Sequence, residues 1–229
     1  MLDLDTFGTK STTNSRFADL LAGVSNASKI WDTVVCETEE YVVTPTLGSI
    51  VPNWLLVIPK VSAISFAGYA YPDGRRGVGP ILRGIAELVG SDQMLWFEHG
   101  AAAPGSTIAC GTDYAHIHVL IDPPFSLGAF SDEVMNRRQD WEVVDTERSH
   151  ETLRCGMEFY AYGGLELSYL QQNVESGESQ FFRKVVASLV GSDDQWDYKQ
   201  YAHSENVRKT LRRFGNLANK PAVPLSAEI

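Results

Sequence analysis

The amino-acid sequence predicts an α+β fold, an antiparallel sheet with packed helices followed by a C-terminal α+β extension. Short runs rich in β-branched and aromatic residues alternate with turn residues, which is typical of strands. Other segments repeat apolar residues at helical spacing, and no flexible linker divides the chain. We predict a flexible arm over residues 1–14, a first domain over 15–124 and an extension over 125–229 that packs on it.

The first domain begins with a predicted short helix over Arg16–Leu21. Strands are predicted at Ile30–Cys36, Tyr41–Pro45, Trp54–Ile58, Met94–Glu98 and His116–Ile121. Between the third and fourth strands, Gly79–Val89 has helical periodicity, with Pro80 at its start and Gly90 as its stop. For the extension we predict helices at Leu127–Arg138, Gln180–Leu189 and Glu205–Phe214, and strands at Trp141–Val144, Phe159–Tyr162 and Leu165–Tyr169.

The bulk composition is that of an ordinary globular protein, with 229 residues, 44% hydrophobic and 21% charged. The 3 cysteines are an odd number without paired spacing, which favours free thiols in a reducing compartment. No apolar run reaches the ~18 residues that span a bilayer, and the acidic N-terminus lacks a signal-peptide core. We therefore expect a cytoplasmic protein that does not bind membranes.

The net charge of −10 disfavours bulk nucleic-acid binding, because the chain has only short basic clusters. A small phosphorylated ligand remains compatible with that charge. Salt screens distant charges within ~8 Å, so a few local donors can outweigh them.

Two histidines, His116 and His118, stand two residues apart in the last predicted strand of the first domain. Residues i and i+2 of a strand share a face, so both imidazoles project together while Ile117 and Val119 point into the core. The preceding Gly- and Ala-rich stretch, Gly100 to Asp113, would let backbone N–H groups approach a ligand. Catalysis or nucleotide binding is the favoured interpretation of the pair.

Two other interpretations of the histidine pair stay open. The imidazoles could be packing or incidental surface residues. They could also bind a metal with a third ligand from Cys110, Asp113 or His99, although no spacing supports such a set. We predict neither a metal nor a cofactor.

The segment Cys110-Gly-Thr-Asp-Tyr-Ala-His-Ile-His-Val-Leu resembles the His-φ-His-φ-His-φ-φ motif of the histidine triad (HIT) superfamily, with Tyr114 in the first histidine's place. Upstream, Pro45 to Lys60 and Phe97-Glu-His-Gly100 are similar to the family's nucleoside-pocket strand and to the strand end near the ribose or phosphate. The resemblance covers roughly residues 15 to 123. Ser179-Gln-Phe-Phe-Arg-Lys-Val-Val-Ala187 is similar to the extension of longer HIT-like proteins, although it also fits an ordinary amphipathic helix.

The resemblance implies a nucleotide-conjugate hydrolase or nucleotidyltransferase that attacks an α-phosphate through a histidine nucleophile. His116 takes the middle, nucleophilic place, and His118 takes the last place, donating to the phosphate or leaving oxygen. In the alternative register His118 is the nucleophile. The implied ligand is a mononucleotide or dinucleoside polyphosphate. Because members of the family commonly dimerise, the resemblance is also compatible with a homodimer.

Further residues are implied as substrate contacts. Gly111 and Thr112 occupy the phosphate-contacting stretch, and Glu98 would accept from a ribose hydroxyl, with His99 beside it. Tyr114 would help to orient the nucleophile. Trp31 could stack on the base, although an aromatic side chain in a strand more often belongs to the core. Asp32 lies where the ribose is expected. These are the predicted substrate-binding residues.

Two departures from the family pattern support an alternative function. Tyr114 replaces the first histidine, and Ser62 stands where relatives often have a further one. Losing both could leave a catalytically degenerate nucleotide-binding module.

Overall fold

The computed structural model describes residues 17–24, 28–68, 77–154, 156–215 and 217. The predicted arm lies outside these residues. The helices are α1 Ala18–Leu21, α2 Gly79–Val89, α3 Leu127–Arg137, α4 Ser149–Thr152, α5 Phe181–Leu189 and α6 Ser204–Phe214. The strands are β1 Cys36–Glu37, β2 Tyr41–Pro45, β3 Trp54–Pro59, β4 Met94–Gly100, β5 Ile117–Ile121, β6 Glu142–Asp145, β7 Phe159–Gly163 and β8 Leu167–Gln172.

All eight of these strands form one antiparallel sheet in the order β1-β2-β3-β5-β4-β7-β8-β6. The predicted α+β class with an antiparallel sheet is therefore confirmed. Strand β7 pairs with β4 from Trp96 opposite Gly163 to Gly100 opposite Phe159. Through this pairing the extension continues the sheet of the first domain.

Alternation along the strands divides the core between the two faces of the sheet. Ile117, Val119 and Ile121 of β5 pack on the face covered by α2, as the pattern predicts. Leu120 lies on the opposite face, which α3 and α5 cover with large aromatic side chains. Helix α2 has Pro80 in its first turn and ends at Gly90, whose φ of 70° is left-handed, so both predicted boundary signals hold.

The prediction of a strand over Ile30–Cys36 is wrong for most of these residues. Ile30–Asp32 forms a 3-10 turn, and strand structure is confined to Cys36–Glu37. The turn packs against α6 and β2. Helix α6 begins more than 170 residues later in the chain (30 to 204). This long-range contact outweighs the β propensity of Ile30–Cys36 and favours the 3-10 turn.

The last predicted strand is shifted. It begins at Leu167 and not at Leu165, because Gly164 donates its N–H to the Leu167 carbonyl at 3.0 Å and closes a turn. Sequence patterns did not indicate the short helix α4. Over the described part of the chain, no helix is both long and apolar enough to cross a membrane.

Candidate active site

The two predicted histidines meet at one pocket beside β5. His118 is the second residue of the strand, paired with Leu56 of β3 and Phe97 of β4. His116, the predicted first residue of this strand, lies immediately before the observed start at Ile117. The two ring centroids are 5.2 Å apart. The i, i+2 arrangement thus brings both imidazoles together.

His116 is held by the backbone two residues before it. Its Nδ1 lies 2.9 Å from the Tyr114 carbonyl oxygen. A carbonyl only accepts hydrogen bonds, so Nδ1 carries the proton and donates. In the neutral ring Nε2 is then the unprotonated nitrogen, the form required of an imidazole nucleophile.

His118 has the opposite tautomer. The indole N–H of Trp54 donates to His118 Nδ1 at 3.0 Å. Because an indole nitrogen only donates, Nδ1 is the acceptor and the neutral ring carries its proton on Nε2. The ring stacks on Phe97 at 4.6 Å between centroids and is 7% exposed. His118 is therefore arranged to donate a hydrogen bond from Nε2–H.

Tyr114 lies in the place of the first histidine but acts away from the pocket. Its hydroxyl donates to the carbonyl oxygens of Pro59 at 3.0 Å and Lys60 at 3.3 Å. Its ring is buried edge-on against Phe17. The side chain thus ties the end of β3 to the segment that carries His116, while its carbonyl sets the His116 tautomer.

A third imidazole reaches the pocket from β4. His99 Nε2 accepts the Phe182 N–H at 3.3 Å, and its ring centroid is 6.4 Å from that of His118. Burial, together with smaller electrostatic effects of His116 and Arg183, lowers the pKa of His99 from 6.5 to about 3. His99 is accordingly neutral near pH 7.

The pocket encloses about 450 Å³, including its open mouth. It is lined by Thr46, Leu47, Leu56, His99, Ala109, Cys110, Thr112, His116, His118, Gln180, Arg183 and Tyr198. Four predicted site residues are among these: His99, Thr112, His116 and His118. Predicted Gly111 adjoins Thr112, and its φ of +79° is a left-handed conformation that favours glycine. The last three lining residues belong to the extension.

Arg183 is a site residue that the sequence analysis missed. It is 3% exposed, and its guanidinium donates to the carbonyl oxygens of Trp196 (3.0 Å) and Gly48. The guanidinium carbon lies 4.8 Å from the Trp54 ring centroid. The helical pattern of Phe181–Leu189 gave no signal for this residue, because Arg183 lies away from the apolar face that this pattern predicts.

The extension is fastened to the pocket loop at Cys110. Its thiol accepts the Gln180 N–H at 2.9 Å, and its carbonyl accepts the Tyr198 hydroxyl at 2.8 Å. The Gln180 side chain in turn bonds Asp197 and the Tyr198 N–H. Burial raises the pKa of the Cys110 thiol, so the group is protonated near pH 7.

The predicted ribose contact of Glu98 is corrected by the structure. Strand alternation turns Glu98 to the α2 face, opposite to His99. There its carboxylate accepts the Phe66 N–H at 2.7 Å and lies 2.7 Å from His150 Nε2. The side chain is 1% exposed and joins β4 to α4 inside the core.

Trp31 and Asp32 also lie outside the pocket lining. Both belong to the 3-10 turn that packs against α6 and β2, in place of the expected strand. In the described ranges, no group of three or more His, Cys, Asp or Glu side chains could hold a metal ion.

Comparison with known proteins gives structural similarity only. No family model and no curated protein sequence matches this chain. Solved structures do match. The chain is similar to a Hit-like protein involved in cell-cycle regulation from Bartonella henselae, at 17% identity over 48% of this chain and 80% of that one, with a TM-score of 0.34.

It is also similar to the yeast Ap4A phosphorylase Apa2. The AMP complex matches at 14% identity over 86% of this chain and 80% of that one, with a TM-score of 0.41. The Ap4A complex matches at 13% identity over 79% and 76%, with a TM-score of 0.40. The expected likeness to HIT-like proteins is thus found among solved structures.

Proposed function

We propose that this chain is a nucleotide-conjugate hydrolase or nucleotidyltransferase that acts at an α-phosphate through His116. The observation that carries the proposal is the bond from His116 Nδ1–H to the Tyr114 carbonyl. It leaves Nε2 as the unprotonated nitrogen of a ring that lines the pocket.

The neighbouring groups suit displacement at phosphorus. His116 Nε2 attacks the α-phosphorus, a P–N bond forms, and the bond to the leaving oxygen breaks. That oxygen leaves as an anion with the electron pair of the broken bond, and His118 Nε2–H is arranged to donate a hydrogen bond to it, because Trp54 occupies the other nitrogen. Thr112 lines the same pocket, and a threonine hydroxyl can donate to a phosphate oxygen.

Water or a second substrate then attacks the nucleotidyl-histidine. The attacking hydroxyl releases its proton to solvent, the P–N bond breaks with its electron pair returning to Nε2, and His116 returns to its starting tautomer. No metal is required by this sequence of steps, since side chains supply the charge stabilisation.

The two tautomers favour His116 over His118 as the nucleophile. Neutral His118 has its lone pair at Nδ1, which already accepts the Trp54 N–H, and its protonated Nε2 has none to offer. The alternative register would require breaking this buried hydrogen bond before reaction.

A catalytically degenerate nucleotide-binding module is the second candidate. Tyr114 and the exposed Ser62 stand in place of family histidines, while the pocket itself is intact. This candidate predicts binding without turnover.

The test is a turnover assay with adenosine and guanosine conjugates, including Ap4A, the ligand of one similar yeast structure. We expect wild-type turnover, none with His116→Ala, and a loss of roughly 10²–10³-fold with His118→Ala. His203→Ala is the control, because His203 bonds the Gln195 carbonyl outside the pocket. Nucleotide binding by calorimetry without wild-type turnover would select the binding module.

A further inference from the structure

We propose that the outer end of the sheet, beside helix α3, is a docking surface for a basic amphipathic helix of a partner protein. The surface consists of an apolar strip, Val143, Leu167 and Tyr169, and of the groove that adjoins Leu167. We call it the edge face. The groove is lined by Met94, at the start of β4, whereas His99 lies near the end of that strand. The edge face is thus remote from the histidine pocket and does not depend on the proposed function.

Strand pairing places the apolar strip on one face of the sheet. Val143 of β6 pairs with Tyr169 of β8, and Asp145 pairs with Leu167. Paired residues project to the same face, and so do residues two apart in one strand. Tyr169 stacks on buried Tyr162, so this is the face that α3 and α5 cover elsewhere. Val143 is nevertheless 54% exposed and Leu167 50% exposed, so the described residues leave this apolar surface open to solvent.

There is room for one helix beside α3. Phe130 of α3 packs against Phe97 of β4 and Tyr162 of β7. The next two strands outward are β8 and β6, with which the sheet order of the described residues ends. Neighbouring strands are about 4.8 Å apart, so these two add about 10 Å, which is the diameter of a helix with its side chains. A helix laid next to α3 would therefore cover the apolar strip.

A groove continues the apolar strip past the ends of the strands. It has a volume of about 1150 Å³, including its open mouth. Leu127, in the first turn of α3, forms part of its wall together with Leu165 and Leu167. Since Leu167 belongs to both the strip and the groove, the two form one surface. The groove can take in apolar side chains from the end of a bound helix.

Carboxylates surround this apolar surface. Asp92 and Glu166 line the groove, and Asp145 lies opposite Leu167 on the same face. All three acids are exposed, and within the described ranges none of them forms an ion pair with a lysine or arginine. Two copies of this chain docked through the edge face would oppose like charges, and the net charge of −10 on each adds to that repulsion. The charges therefore favour a basic partner over a second copy.

Apolar contact and charge would contribute differently to the complex. Exposed ion pairs add little affinity because solvent and salt screen them, although they set the orientation and choice of partner. Affinity would come mainly from burying Val143, Leu167 and the groove lining under apolar residues at positions i, i+3, i+4 and i+7 of the partner helix. Lysine or arginine beside that stripe would face the carboxylates, with the methylene stems covering the rim of the strip.

The test is calorimetric titration of synthetic peptides into the full chain. One peptide of about 18 residues, or five helical turns, carries a leucine stripe flanked by lysines, and a second has the same composition in scrambled order. We expect the first to bind at least about tenfold more tightly than the second. Leu167→Gln and Val143→Gln should each weaken its binding about tenfold. Val24→Gln is the matched control, because Val24 is similarly exposed (57%) but follows α1, which packs on β2 and β3.

Equal affinity for the two peptides would overturn the edge face as a docking surface. Unchanged affinity in both Leu167→Gln and Val143→Gln would overturn it as well. Both variants replace exposed side chains, so their free energy of unfolding should match that of the wild type. Chemical denaturation verifies this, and a loss of peptide binding then reports on the surface itself.

The charge of the partner is tested by a salt series. The double variant Asp92→Asn, Glu166→Gln should bind the amphipathic peptide more weakly than the wild type at low ionic strength and equally well at high ionic strength. Glu87→Gln is the control, because Glu87 is exposed on α2. The same salt dependence in the double variant and the wild type would contradict the basic character of the partner.

Sedimentation equilibrium of the chain alone distinguishes a partner helix from a second copy. We expect the molar mass to be the same for the wild type and Val143→Gln at every concentration. A dimer that Val143→Gln dissociates, and that the amphipathic peptide cannot enter, would overturn the partner helix and assign the edge face to a second copy of this chain.

Discussion

Trp54 donates its indole N–H to Nδ1 of His118 across 3.0 Å, between adjacent strands β3 and β5. The same indole lies under the Arg183 guanidinium. One buried side chain thus sets the tautomer of a predicted catalytic histidine and supports the cation supplied by the extension. The chemistry of the pocket consequently depends on contacts from both parts of the chain.

Replacing Trp54 by phenylalanine tests the tautomer directly. Trp54→Phe keeps an aromatic ring but removes the donor, so His118 can carry its proton on either nitrogen. We expect kcat to fall roughly ten- to a hundredfold, a part of the usual contribution of a donor that stabilises developing charge, with a small change in KM. Steady-state kinetics on the turned-over substrate measure this. An unchanged kcat in a folded variant would mean that the tautomer does not matter.

Tyr114→Phe separates the two contributions of that residue. The variant loses the hydroxyl bonds to Pro59 and Lys60 but keeps the carbonyl that accepts from His116. We expect the free energy of unfolding to fall by about 1–2 kcal/mol, with kcat per folded molecule nearly constant. Chemical denaturation and an activity assay on the same sample give both values. A large loss of kcat at full stability would show that the hydroxyl itself acts in the reaction.

Glu98→Ala is expected to affect stability and not substrate binding. In this variant His150 and the Phe66 N–H lose their buried contact with the carboxylate. This loss should lower the free energy of unfolding by about 3–5 kcal/mol. KM of the folded fraction should stay the same. An increase in KM with normal stability would instead support the ribose contact that the sequence analysis predicted for Glu98.

The depressed pKa of His99 predicts a stability change with pH. The folded chain holds His99 neutral down to about pH 3, whereas the unfolded chain binds the proton near the ordinary pKa of 6.5. Stability from this group is therefore full above about pH 6.5 and is lost as the pH falls toward 3. The slope should approach about 1.4 kcal/mol per pH unit.

The check on His99 is a comparison of slopes. His99→Gln keeps an acceptor for the Phe182 N–H but does not titrate, so its unfolding free energy should depend less on pH between about 4 and 6. Denaturant unfolding at several pH values gives both curves. Parallel curves for the variant and the wild type would mean that folding does not depress the pKa of His99.

Local patterns predict much of the fold and part of the site. Alternation in β5 correctly assigns Ile117 and Val119 to one face and His118 to the other, because a period of two is a backbone property. The caps of α2 at Pro80 and Gly90 hold for a similar local reason. Such features need no knowledge of distant residues.

Long-range contacts explain what the sequence did not predict. Arg183 enters the pocket from a helix that follows β5 by 60 residues (121 to 181), and nothing near His116 in the sequence points to it. Glu98 and His99 are neighbours in sequence, yet the strand turns only His99 toward the pocket. Trp31 belongs to a 3-10 turn that packs against α6, which lies far away in the sequence.

The proposed nucleophilic role of His116 is tested most directly by intact mass spectrometry after brief incubation with adenylated and guanylated substrates. We predict a nucleotidyl adduct that accumulates in His118→Ala or after an acid quench, maps to His116, and is absent from His116→Ala. An adduct that persists in His116→Ala, or turnover by that variant, would contradict the assignment of the nucleophile.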